Sequence, residues 1–196
     1  INPTGKKAYS AELVAGKTAY IRREAQSQVE AGAHLLDINC GAPGVDEPVA
    51  LERAVFAASG VASAPLVLDS SDPAALERAL KAVDGKVLIN SVSGEAKSLK
   101  AILPLAKKYG AALVGLTLDE AGIPETAEGR RDIAAKIVQQ AETTGLRRQE
   151  LIVDCLTLTV SAEQKRALET LRALRMVRDE LGLSTVLGVS NLSFAP

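Results

Sequence analysis

An α/β fold on a parallel sheet is predicted by three observations. First, short apolar β-type runs alternate with helical patterns along the whole chain. Second, every run closes on polar residues: HLLDIN on Asp37 and Asn39, PLVLDS on Asp69, KVLINS on Asn90, AALVGLTLD on Thr117 and Asp119, ELIVDC on Asp154, and VLGVSN on Ser190 and Asn191. Third, these ends recur about 20–37 residues apart, the size of a βα unit. Parallel strands covered on both faces are expected to be apolar throughout. A carboxylate or amide at the carboxyl end of each one therefore marks a site.

Asn2-Pro3-Thr4-Gly5 reads as a loop, with Pro3 pushing Asn2 towards an extended conformation, as at the tail of a strand. A polar helix follows from Thr18 to Ala31, with Ile21, Ala25 and Val29 on one face, and Gly32 ends it. After strand HLLDIN, the loop CGAPGVDEP leads to a helix from about Glu47 to Gly60 carrying Val49, Arg53 and Phe56 at helical spacing. Strand PLVLDS precedes Asp72-Pro73, a carboxylate N-cap with Pro at N1, and a helix striped by Leu76, Leu80 and Val83. KVLINSV is a strand ending in the turn Ser93–Glu95, and the next helix buries Leu99, Ile102, Leu103 and Ala106 before Gly110. After strand AALVGLTLD and loop EAGIPET, a helix with Ile133, Ile137 and Val138 runs to about Gly145. Strand ELIVDC is followed by Ser161 and Gln164 in capping-box spacing. The helix beyond carries Leu168, Leu171, Leu174, Val177 and Leu181, and TVLGVSN is the last strand.

Composition narrows the function classes. The 196 residues make one domain; 47% are hydrophobic and the net charge is −1. That balance lacks the basic surface wanted by nucleic acid or anionic membranes, and 3% aromatics without Trp leave few platforms for stacking bases. There is no membrane-length apolar run and no signal-peptide pattern. Cys40 and Cys155 read as free thiols of a reducing cytoplasmic compartment, and with His34 they form no metal-site spacing, so no metal is expected.

Six strands and six helices in alternation leave two architectures. A doubly wound sheet places its ligand at one switch point, normally beside a Gly-rich phosphate loop, and no such motif occurs here. A (β/α)8 TIM barrel gathers residues from many strand ends at one mouth, which fits the polar ends better. Six strands fall two short of eight. The expectation is an incomplete barrel over residues 1–196, with one strand before Ile1 and one after Pro196.

The strand ends are rich in Asp and Asn and poor in Lys and Arg. Carboxylates accept hydrogen bonds and amides both donate and accept. Together they suit a neutral heterocycle, whereas a phosphorylated substrate wants cationic clamps. An ordinary loop cap explains one such Asp. Asp69, Asn90, Asp154 and Asn191 at equivalent ends of four strands fit a shared site better.

INPTGKK, GAHLLDINCGAPG, LVLDSSDP, LINSVSGE, KKYGAALVGLTLDEAGIP, LIVDCLTLTVS and VLGVSNLSF together resemble the pterin-binding methyltransferase family, from Ile1 to the last residue. That family includes the folate domain of cobalamin-dependent methionine synthase and the methyltetrahydrofolate:corrinoid methyltransferases. The resemblance implies a (β/α)8 barrel that binds 5-methyltetrahydrofolate and passes its N5-methyl group to cob(I)alamin carried by another domain or protein. It implies that Asp69, Asn90 and Asp154 grip the pterin and that Asn191 contacts N5 as the catalytic residue, with Ser190 beside it. Asn2, Asp37 and Asn39 are implied in supporting positions. With no His or shifted acid recognisable near Asn191, its amide and a water- or Asp-linked network are favoured over one strong general acid.

Two rival readings remain. Dihydropteroate synthase is a pterin-binding cousin that displaces pyrophosphate and carries basic residues at strand ends, but the final turn here, Ser190 to Ser193, has none. A non-catalytic folate-binding module is the alternative of another class, and a standalone corrinoid iron–sulfur protein methyltransferase is the alternative within the family. The sequence leans towards the methionine synthase branch. Blander assignments cover the rest: His34 as a half-buried strand start, Cys40 and Cys155 as packing residues, Arg130-Arg131 and Arg147-Arg148 as solvated charge, Tyr109 as helix-end packing. Asp119 and Glu120 stay open as mouth residues.

Overall fold

The computed structural model describes residues 1–157 and 164–189. Its strands are β1 (Leu36–Asn39), β2 (Leu66–Asp69), β3 (Leu88–Ser93), β4 (Ala112–Leu116), β5 (Leu151–Asp154) and β6 (Ser184–Val186). The helices are α1 (Lys7–Val14), α2 (Ala19–Glu30), α3 (Glu47–Ser59), α4 (Pro73–Leu80), α5 (Ala96–Tyr109), α6 (Ala127–Thr143) and α7 (Gln164–Leu181). The strands form one sheet in the order β1-β2-β3-β4-β5-β6, and the registers of β1–β2, β2–β3, β4–β5 and β5–β6 are parallel. A doubly wound sheet reverses its order at a switch point, while a barrel adds strands sequentially. The sequential order is that of a (β/α)8 barrel, and the described residues hold six strands in that order.

The chain divides into two compact units: residues 1–90 with 108–111, and the described residues of 91–107 and 112 onwards. In the first unit, β1 closes on the expected Asp37 and Asn39. Leu36 and Ile38 are fully buried, while Asp37 and Asn39 are half-buried on the opposite face, the period-2 alternation of a strand with one polar face. The apolar face is covered partly by α3, which also packs on α4 and buries Ala50, Leu51, Ala54, Val55, Ala57 and Ala58. Phe56, expected on that stripe, is 60% exposed; small residues win the inner face because they let the two helices approach closely. Helix starts follow the expected chemistry. Asp72 accepts from the Ala74 N–H at 2.8 Å with Pro73 behind it, and Asp46 accepts from the Val49 N–H at 3.2 Å. Such caps contribute about 1 kcal/mol each.

Helix α1 was not expected from the sequence. It has no side-chain cap and buries only Tyr9 and Leu13, so it carries little pattern; Tyr9 stacks on Tyr20 with ring centroids 4.7 Å apart. Ahead of it, Ile1 runs alongside β1, its carbonyl accepting from the Asn39 N–H at 3.0 Å and its amino nitrogen donating to the Asp37 carbonyl.

In the second unit, Leu113, Val153 and Leu151 form the strand core, and α6 buries Arg130, Ile133, Ala134, Ile137, Val138 and Ala141. Two expectations fail here. The inner face of α7 is Thr170, Ala173 and Val177; of the expected stripe Val177 is buried, while Leu168 and Leu171 are exposed. Strand β6 starts earlier than expected, at Ser184, and its three residues are exposed. The expected capping-box Ser161 lies outside the described residues. Among the described residues no helix is long and apolar enough to cross a membrane.

Candidate functional site

Three adjacent strands of the first unit bring four of the expected residues to one face. The register pairs Asn39 with Asp69 and Asp69 with Asn90, so these three stand in one row, and Asp37 shares their face two residues before Asn39. All four are half-buried. The Asn90 amide donates to Asp37 Oδ2 at 3.1 Å. Asn39 Oδ1 accepts from the Gly41 N–H at 2.9 Å, and its side chain favours the charged form of Asp69. Burial pushes the Asp69 carboxyl up to about 6, the Asp37 charge adds to the rise, and the Asn39 side chain opposes it.

Behind this row sits a network that the sequence reading missed. The buried Ser70 donates its N–H to the Asn90 carbonyl at 3.0 Å and its hydroxyl to Glu47 Oε1 at 2.5 Å, and accepts from the Asp72 N–H at 3.0 Å. One serine thus ties β3 to the first turns of α3 and α4 and fixes the residue after Asp69. Asn2, expected in support, is exposed, its Oδ1 accepting from the Thr4 N–H at 2.8 Å in a turn.

In the second unit, Asp154 ends β5 with its carboxyl raised by burial, while Oδ1 accepts from the Leu156 N–H at 2.7 Å, which works the other way. Leu156 has a φ of 59°, the one positive value at a non-glycine among the described residues. That left-handed conformation costs about 1–3 kcal/mol and persists only where the surroundings hold it. Arg130, expected to be solvated, is fully buried there. Its Nε donates to the Pro124 carbonyl at 2.9 Å, and its Nη1 donates to the carbonyls of Cys155 and Leu156 at 3.0 and 3.2 Å and to Thr170 Oγ1 at 2.6 Å. The available signal was its spacing with Ile133 and Ile137, which puts it on the buried side of α6. Ser190 and Asn191 lie outside the described residues.

Other residues resolve as follows. His34 is exposed and stands ahead of β1, a correction to its expected half-burial. Asp119 accepts from the Ala121 N–H at 2.9 Å and Glu120 from the Ala96 N–H at 2.7 Å, so both serve local backbone. Tyr109 donates to Glu77 at 3.1 Å. Arg131 pairs with Asp132 and Glu180, Arg147 with Glu150, and Arg148 with Glu142. Cys40 and Cys155 are fully buried thiols, pushed up to about 11 and about 12 by burial. Among the described residues no group of three or more His, Cys, Asp or Glu is placed to hold a metal ion.

A face of carboxylates and amides has the acceptors and donors to meet a flat, nitrogen-rich ring. Comparison with known proteins agrees in kind: the pterin binding enzyme family matches residues 1–196, and the chain belongs to it. It is 28% identical over 204 residues to the methionine synthase of Mycobacterium leprae (98% of this chain, 17% of that protein). It is 30% identical over 207 residues to the methionine synthase of Mycobacterium tuberculosis, with the same two shares, 98% and 17%. The chain thus spans 17% of the length of these relatives. With the methylcorrinoid:tetrahydrofolate methyltransferase of Eubacterium limosum it shares 29% over 181 residues, 90% of this chain and 66% of that protein. Among solved structures it resembles dihydropteroate synthase from Xanthomonas albilineans in complex with 7,8-dihydropteroate, with TM-score 0.65 and 18% identity over 97% of this chain and 70% of that one. Dihydropteroate synthase from Stenotrophomonas maltophilia gives TM-score 0.65 at 20% identity, over 85% and 64%. At these identities the structural likeness shows the fold.

Proposed function

We propose that this chain is a methyltransferase domain that binds 5-methyltetrahydrofolate and transfers its N5-methyl group to cob(I)alamin carried by another domain or protein, as in methionine synthesis. The observation that carries the reading is the Asn39–Asp69–Asn90 row on one half-buried face. The names of the sequence relatives, two methionine synthases and a methylcorrinoid:tetrahydrofolate methyltransferase, support this chemistry.

Asp69 as a carboxylate accepts from the N–H and NH2 groups of the pterin, Asn90 meets its mixed donor and acceptor atoms, and Asp154 accepts from further donors. Asp37 and Asn39 orient Asn90 and Asp69, and Asn2 supports the entry turn. In the transfer the N5–C bond breaks, its electron pair stays on N5, and N5 takes a proton to leave tetrahydrofolate. Asn191, with Ser190 beside it, stabilises N5 as this charge develops, an interaction needed only in the transition state. The corrinoid supplies the electron pair for the new bond to the methyl carbon. Buried free thiols suit the reducing cytosol as the site of action.

A second reading is a standalone methyltransferase that exchanges the methyl group between tetrahydrofolate and a corrinoid protein; the name of the Eubacterium relative, a methylcorrinoid:tetrahydrofolate methyltransferase, supports it. The test is titration with 5-methyltetrahydrofolate by calorimetry, followed by mixing with cob(I)alamin and recording its absorbance. Binding and loss of the cob(I)alamin spectrum are expected. Asn191→Ala should keep binding and slow the loss. Binding without transfer makes the chain a folate-binding module, and absence of binding sinks the reading.

A further inference from the structure

Arg130 is placed as no solvent-facing helix residue would be. A buried guanidinium is costly unless its donors are met; here Nε is met by the Pro124 carbonyl and Nη1 largely by backbone just past Asp154. The Cys155 and Leu156 carbonyls both reach Nη1, and the Thr170 hydroxyl donates to the same Leu156 carbonyl at 3.2 Å. Consecutive carbonyls of an extended strand point to opposite sides. They converge on one donor here because Leu156 is left-handed, with φ at 59°. The same turn aims the Leu156 N–H back at Asp154 Oδ1, 2.7 Å away. The guanidinium and the Asp154 carboxylate therefore hold the two ends of one residue, Leu156, between them.

We propose that Arg130, assisted by Thr170, is a positioning residue that locks the Asp154–Leu156 turn and so aims the Asp154 carboxylate for substrate recognition. This rests on the reading in which Asp154 accepts from pterin donors. The planar fork matters: it reaches the Pro124 carbonyl with Nε while Nη1 serves the turn, and a lysine ammonium cannot span both. A leucine at this φ needs an external clamp, whereas a glycine adopts it without strain.

The test compares wild type with Arg130→Met, Arg130→Lys, Thr170→Val and the double variant Arg130→Met/Leu156→Gly. Amide hydrogen exchange at residue 156, read by NMR, needs no ligand; affinity for 5-methyltetrahydrofolate is read by calorimetry. Arg130→Met should speed exchange at 156 and weaken binding by about tenfold each. Arg130→Lys and Thr170→Val, milder changes for the case where Arg130→Met fails to fold, should do so about threefold. Adding Leu156→Gly should restore most of the lost affinity without restoring thermal stability. Unchanged exchange at 156 overturns the proposal, as does an affinity loss that Leu156→Gly leaves in place, since that is the mark of a merely structural arginine. If wild type fails to bind the folate, the functional reading falls while the exchange arm still decides the turn.

Discussion

Asn90 reaches across an intervening strand to Asp37: its Nδ2 lies 3.1 Å from Asp37 Oδ2, although β2 separates β3 from β1. The bond fixes a carboxylate close to Asp69, where its charge is the second cause, after burial, of the raised Asp69 carboxyl. A group titrating near 6 in the free protein has a direct consequence for recognition.

Affinity for the pterin should fall as pH drops through about 6, by about tenfold per unit below it, because only the carboxylate form of Asp69 accepts two donors. Calorimetric titrations from pH 5 to 8 on wild type and Asp69→Asn check this. The difference between the two profiles cancels the ligand's own titration and should carry the limb near 6.

Asp37→Asn removes the neighbouring negative charge and leaves burial in place. The limb should move down by about half to one pH unit, with plateau affinity changed less than threefold. A limb that stays at 6 would show that burial alone sets it.

Asp69→Asn should separate stability from function. With the folded value near 6 and the ordinary one at 3.8, the native state binds more protons than the unfolded chain between these values. Stability conferred by Asp69 is thus complete below about 4 and is lost as pH rises through 6. The variant should therefore be more stable at pH 7, on the order of 1 kcal/mol after allowing for solvent screening, and no more stable at pH 4. Binding should weaken by about 2–3 kcal/mol, roughly 30- to 150-fold. Urea melts at the two pH values and a titration read these out.

Gly94→Ala should destabilise by about 1–3 kcal/mol. An added Cβ would stand 2.6 Å from Ile133 Cγ2 and 3.0 Å from the Leu118 carbonyl, and that carbonyl already accepts from the Gly94 N–H at 2.8 Å. A denaturant midpoint unchanged from wild type would contradict this close approach.

Much of the first unit was legible in the sequence because its signals are local. Asp69 and Asn39 close short apolar runs, Asp72-Pro73 announces a helix start, and period-2 spacing sets Asp37 beside Asn39. The second unit hid more because its signals are tertiary. On α7 two stripes compete, and the leucines at 168 and 171 lose to Thr170, Ala173 and Val177. Thr170 is drawn inward as partner to a guanidinium that charge alone assigns to solvent. The shift of Asp69 was equally invisible, since it depends on burial and on a strand pairing that brings Asp37 near. Ser70 carried no signal of its own in the segment PLVLDS because its three partners come from separate elements.

Cys40 directly follows Asn39, proposed to orient Asp69, and Cys155 directly follows Asp154, proposed to touch the substrate; both are fully enclosed thiols raised to about 11 and about 12. A thiolate is a strong alkyl acceptor and would be a rival destination for an activated one-carbon group, whereas a thiol kept protonated is a poor one. Enclosure thus disfavours the thiolate form of both sulfurs at neutral pH, so in the proposed methyl transfer neither would compete with the intended acceptor.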